Sequence, residues 1–168
     1  KDDNSKDPDE KKAETLVNTA KLKEQALAGT IYKTQFENGK VVPGLDDINS
    51  LYTVFSLARA NYGKDDADVQ AFYDAVYTKI EKQFAAIKAG KKVYDTQGKE
   101  ISFDQIIAGG YASTFYAKAA LCVEALGKNP KDVGGVDLIE KLADRSIYEG
   151  SNSYITVRAP MVLFAVDA

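Results

Sequence analysis

Four stretches of the chain carry apolar residues at helical spacing, and they differ in how much of the helix circumference those residues occupy. In residues 67–89, Val69, Phe72, Tyr73, Val76, Tyr77, Ile80, Phe84 and Ile87 step by threes and fours, predicting a helix with one packed and one charged face. Residues 111–126 contain only Lys118 and Glu124 as charged positions, so a helix there is apolar nearly all round and must be buried on most sides. Ile48, Leu51, Tyr52, Val54, Phe55, Leu57 and Ala58 predict a third helix of the same inner type, capped by Asp46 or Asp47 and ending near Gly63. The first predicted helix is sparser. Asp7 and Pro8 form an N-cap and N1 pair, Leu16, Val17, Ala20, Leu22 and Leu27 make a narrow apolar face, and Gly29 supplies a stop after Ala28.

Between and after these stretches the period changes. Tyr32, Thr34 and Phe36 alternate with polar residues and lead to Asn38-Gly39, which predicts a short hairpin or ordered loop over 31–44. Residues 93–101 repeat that build, with Tyr94, Thr96 and Gln97 leading into Gly98-Lys99. Both stretches precede an apolar helix, so they read as equivalent connections in a repeat. Ser102 or Asp104 opens a helix interrupted at Gly109-Gly110; Gly127 ends the next, and Asn129-Pro130 starts a turn before a short amphipathic helix over 136–143. Residues 155–166 are apolar again, and Pro160 fits only a helix that starts near Arg158. In order, the chain alternates outer and inner helices three times. That alternation argues for stacked helical hairpins rather than a four-helix bundle, and so for an all-α domain with short β-hairpin-like loops.

Composition narrows the chemistry. A chain of 168 residues with 45% hydrophobic content can bury one sizeable core. Its 22 basic and 25 acidic residues give a net charge of −3 and no basic stripe with interleaved aromatics, which argues against a nucleic-acid partner. No apolar run reaches the ~18 residues of a membrane span. Residues 1–12 have the mixed charge of a flexible linker, placing the folded domain at 13–168, and the first residue is lysine. A removed secretion signal or a trimmed end accounts equally for that start.

The absence of histidine removes the commonest general base, the commonest metal ligand and every Ser/His or Cys/His nucleophile arrangement. Cys122, the single cysteine, lies between Leu121 and Val123 in the most apolar helix and reads as a buried structural thiol. No catalytic residue, metal site or cofactor is therefore expected, and an enzyme is the less favoured reading. Tyr52, Tyr111, Tyr116 and Tyr154 lie on or near the inner helices, where they either line a cavity for an apolar or planar ligand or pack in the core. Arg158 either meets an anion or makes a surface ion pair. Gly109-Gly110 and Gly134-Gly135 belong to no phosphate-loop motif and read as turns.

Three phrases carry a resemblance: Tyr52-Thr-Val-Phe-Ser-Leu-Ala-Arg-Ala-Asn-Tyr-Gly63, Ala119-Ala-Leu-Cys-Val-Glu-Ala-Leu-Gly-Lys-Asn-Pro-Lys-Asp-Val-Gly-Gly135 continuing through Leu142, and Ala159-Pro-Met-Val-Leu-Phe-Ala-Val-Asp167. In them the chain resembles the α/α-toroid repeats of the prenyltransferase and terpenoid cyclase superfamily, in particular prenyltransferase-like domains of secreted surface proteins of Gram-positive bacteria. The resemblance implies helical hairpins, three here out of about six in a full ring. It also implies a secreted or cell-surface location with the signal peptide removed. The family's zinc site needs a histidine that this chain lacks, and Leu45-Asp-Asp-Ile48 is only a fragment of the cyclase acid motif. The expectation is a non-catalytic binding or structural module for a protein, carbohydrate or apolar small molecule, with self-association through the open half-ring. The alternatives are a partial or degenerate isoprenoid enzyme, and a cofactor-binding domain similar to cobalamin carriers.

Overall fold

The computed structural model describes residues 7–148, and these are all-α apart from one two-stranded ribbon. It divides into two compact units, Lys1–Val41 and Val42–Ala168. The expected helix over 155–166 lies outside the described residues.

The first unit is dominated by α1, Pro8–Tyr32. Asp7 caps it by accepting a hydrogen bond from the Asp9 N–H at 2.9 Å, with Pro8 at the first helical position and Asp9 and Glu10 against the positive end of the helix dipole. Residues 9–12, linker-like in composition, are thus helical. The helix also runs through Gly29 instead of stopping there and continues as a π-helical turn, Lys33–Glu37. This corrects the hairpin expected over 31–44. The Tyr32, Thr34, Phe36 alternation conceals a four-residue step: Ala28, Tyr32 and Phe36 are buried while Thr34 is exposed, the pattern of a helix and not of a strand. The turn itself sits where Asn38-Gly39 was expected to make one, with Lys40 in the left-handed region and the Val41 N–H donating to the Phe36 carbonyl.

The second unit opens with a 3-10 turn, Leu45–Asp47, and α2, Ile48–Arg59. A short turn leads to α3, Ala67–Lys88, capped by Asp66 through the N–H groups of Asp68 and Val69. Its buried residues Val69, Tyr73, Val76, Ile80, Phe84 and Ile87 are the stripe read from the sequence. β1, Val93–Tyr94, pairs antiparallel with β2, Glu100–Ile101, so the second hairpin expectation holds. α4, Phe103–Ala108, is capped by Ser102 and ends at Gly109-Gly110. α5, Ala112–Ala125, buries nine of its residues, among them Phe115, Tyr116, Cys122 and Val123. α6, Leu138–Ala143, capped by Asp137, and a final 3-10 turn, Arg145–Tyr148, pack on α5.

α2 and α5 pack along each other and run in the same direction. Near their starts Ile48 and Asn49 line one cleft with Tyr111 and Phe115, the Lys118 ammonium at the middle of α5 reaches back to Asn49 Oδ1 at 2.6 Å, and near their ends Ala58 shares a depression with Ala125 and Leu126. α3 is tied to the segment after α5 at close range. Gly134 has φ +62°, and a Cβ there would lie 2.2 Å from the Glu81 carbonyl oxygen and 2.8 Å from the Ala85 nitrogen, so only glycine lets this loop reach the helix backbone. The Lys88 ammonium donates to the Gly135 carbonyl, and Lys128 pairs with Asp74 at 3.2 Å.

Candidate functional site: a cleft at the start of the inner helices

The parallel course of α2 and α5 places both of their first turns at one end of the second unit. The β1–β2 turn covers that end, and between the three lies a cleft of about 310 Å³. Its walls come from Leu45–Asn49, from the ribbon turn at Asp95, Thr96, Gln97 and Lys99, and from Tyr111 and Phe115. The first two walls are joined directly: the Thr96 N–H donates to the Asp46 carbonyl at 3.1 Å.

A polar clamp on α3 holds the first wall. Lys79 donates to the Val42 carbonyl and to Asp46 Oδ2, each at 2.8 Å, and Gln83, one turn on, donates to Asp46 Oδ1 at 2.9 Å while accepting from the Leu45 N–H at 2.7 Å. Burial pushes the Asp46 carboxyl up, but the hydrogen bonds from Lys79 and Gln83 and the Lys79 charge outweigh it and hold its pKa below the ordinary value of 3.8. Asp47 is the true cap of α2, accepting from the Ser50 N–H at 3.3 Å and the Ser50 hydroxyl at 2.6 Å. The two adjacent aspartates are therefore both spent on structure, and neither is a free acid for catalysis.

The ribbon turn is equally self-contained. Asp95 Oδ1 accepts from the N–H groups of Gln97 and Lys99 at 2.9 and 2.8 Å, an Asx-type arrangement that closes the loop. What this leaves facing outward are the amide of Gln97, the hydroxyl of Thr96 and the Lys99 ammonium, which lies 5.7 Å from the centre of the Tyr111 ring. The ring crosses Gly109: a Cβ on that glycine would fall 2.1 Å from Tyr111 Cε1. The Phe115 ring lies against it at a tilt of 56°, 6.4 Å between centroids.

Of the five residues singled out from the sequence, the cleft contains Tyr111. Tyr116 is fully buried in the core, its hydroxyl without a hydrogen-bond partner among the described residues, and burial together with the Asp144 charge pushes its pKa up to about 12. Tyr52 is 49% exposed on α2 and stacks at an angle on Phe55, 5.4 Å between centroids. Tyr154 and Arg158 lie outside the described residues. Sequence reasoning missed Asn49, Asp95, Thr96, Gln97 and Lys99 as site residues; the signal was the Tyr-x-Thr-Gln phrase before Gly98-Lys99, read only as a connection. Cys122 is wholly buried and its thiol is raised to about 12 by desolvation, which makes it a poor nucleophile near neutral pH.

A shallower depression of about 480 Å³ runs over α3 from Ala75 to Ala86 and reaches Val93 on β1, with Lys79 and Gln83 in its lining already committed to Asp46. It offers few convergent hydrogen-bonding groups, so the cleft at the helix starts is the better binding candidate. Among the described residues no group of acidic or cysteine side chains could hold a metal ion, and no helix is long and apolar enough to cross a membrane. No family model matches the chain, and no curated protein or solved structure matches it.

Proposed function

We propose that this chain is a non-catalytic binding or structural module of an exported bacterial surface protein, built on part of an α/α toroid. The observation that carries the reading is the same-direction pairing of α2 and α5, with α3 as the intervening helix. Helical hairpins stacked in a ring require inner helices that run alike and outer helices that connect them. The chemistry of the side chains supports the binding half of the proposal: no histidine is present, the paired aspartates are committed to a cap and an ion pair, and the thiol is buried.

The test has two arms. Fractionation of cells expressing the natural gene product should place it at the surface, and retention inside the cell would remove the exported part of the proposal. Incubation of that product with isoprenoid diphosphates and divalent metal should give no turnover. Turnover above a heat-treated control would replace the binding module with an isoprenoid enzyme.

A further inference from the structure

The three carboxylates that line the cleft at the start of α2 and α5 are already answered from within, and Lys99 is the one cationic side chain among its lining residues. Asp46 is neutralised by Lys79, Asp47 is satisfied by Ser50, and Asp95 by two backbone N–H groups. A cation entering it would compete with the partners that each carboxylate already has, and an anion would meet three carboxylates against the single ammonium of Lys99. Uncharged hydrogen-bonding groups line its walls in Thr96 and Gln97, and in the amide nitrogen of Asn49, whose oxygen accepts from Lys118. They surround an aromatic ring, Tyr111, that is partly open to solvent and held in place by two independent supports, the bare Cα of Gly109 and the Phe115 ring.

We propose that this cleft binds a neutral, polyhydroxylated ligand, a monosaccharide or disaccharide, laid on the Tyr111 ring. The electron-rich face of an aromatic ring attracts the slightly positive C–H face of a sugar, as it attracts the Lys99 ammonium that lies nearby. The sugar displaces that exposed ammonium, and its equatorial hydroxyls meet the amides and hydroxyl at the rim. A cleft of about 310 Å³ is at the small end of ligand sites, which suits one or two rings rather than a long glycan or a large cofactor. Gly109 acts as a positioning residue, since any side chain there moves the ring. The proposal rests on the binding-module reading and names the ligand class.

The test is a titration of the full chain, followed by amide NMR shifts, with N-acetylglucosamine, chitobiose, glucose and cellobiose as probes up to about 50 mM. Saturable shifts are expected at residues 95–99 and 109–115 for at least one of them. Tyr111→Ala should weaken binding about tenfold or more and Gln97→Ala about threefold, whereas Tyr52→Ala should leave it unchanged. Gln97 is in an exposed turn, so its variant separates loss of binding from loss of folding. Gly109→Ala should reproduce the Tyr111→Ala defect although it removes no contacting group. Absence of saturable shifts with all four sugars overturns the proposal, as do saturable shifts confined to other parts of the chain. If inorganic phosphate or calcium instead gives saturable shifts at 95–99 and 109–115, the neutral-ligand assignment falls while the module reading stands.

Discussion

α1 and α5 are both helices, yet they are held by opposite means. Every residue of α1 from Pro8 to Glu24 is exposed, including Leu16, Val17 and Leu22, so that part of the helix depends on its own caps, its dipole and its backbone hydrogen bonds. α5 has no side-chain cap at its start and a buried majority, so packing holds it. Isolated helices are marginal in water, and most helical stability in proteins comes from the packed face. The contrast predicts that mutations at equivalent residue types will give very different results in the two units.

The largest difference is expected between two leucines. Leu142→Ala, in the fully buried α6 position against α5, should cost about 2–5 kcal/mol in urea unfolding, whereas Leu22→Ala, 72% exposed on α1, should stay within about 0.5 kcal/mol. Comparable losses at both sites would end the comparison. Gly134→Ala comes next, at about 2–3 kcal/mol, since the added Cβ meets the α3 backbone and the positive φ disfavours any side chain. Loss of the α3-to-loop contact should appear as faster amide exchange around Glu81 and Ala85.

The Asp46 clamp gives a smaller, pH-dependent effect. Its folded pKa lies below 3.8, so its contribution is fully present above that value and disappears as pH falls through the folded pKa. Asp46→Asn should therefore cost about 1–2 kcal/mol at pH 7 and progressively less as pH falls through the folded pKa, flattening the acid limb of a stability-versus-pH curve. An unchanged acid limb would show that the clamp is not an energetic unit. The smallest change is expected at the start of α1. Asp7→Ala removes the cap and should cost about 1 kcal/mol locally, seen as exchange of the first-turn amides, with the cooperative transition of the second unit unmoved.

Caps and helix interiors were the legible part of the fold. Asp7, Asp47 and Ser102, each among the caps read from the sequence, close a helix with a side-chain oxygen a few residues away, and Val69 through Ile87 repeat at the period of one buried face. The site was less legible. Tyr111 and Tyr116 sit five residues apart in one apolar stretch and look alike in sequence, but one ring lies over Gly109 at the cleft and the other is in the core. Ser113 and Tyr116 even carry hydroxyls into the core that find no partner among the described residues, which no periodicity would announce.

By itself the sequence determined where helices start, which are buried, and that histidine chemistry is absent, because caps, periodicity and composition act within a few residues. Only the tertiary structure decided that α1 passes through Gly29, that Asp46 goes to Lys79 while Asp47 goes to Ser50, and that a ribbon turn closes over the starts of two parallel helices. Asp46 and Lys79 are 33 residues apart, and Asn49 and Lys118 are 69 apart. Pairings at such separations depend on how helices pack side by side, which no local pattern encodes.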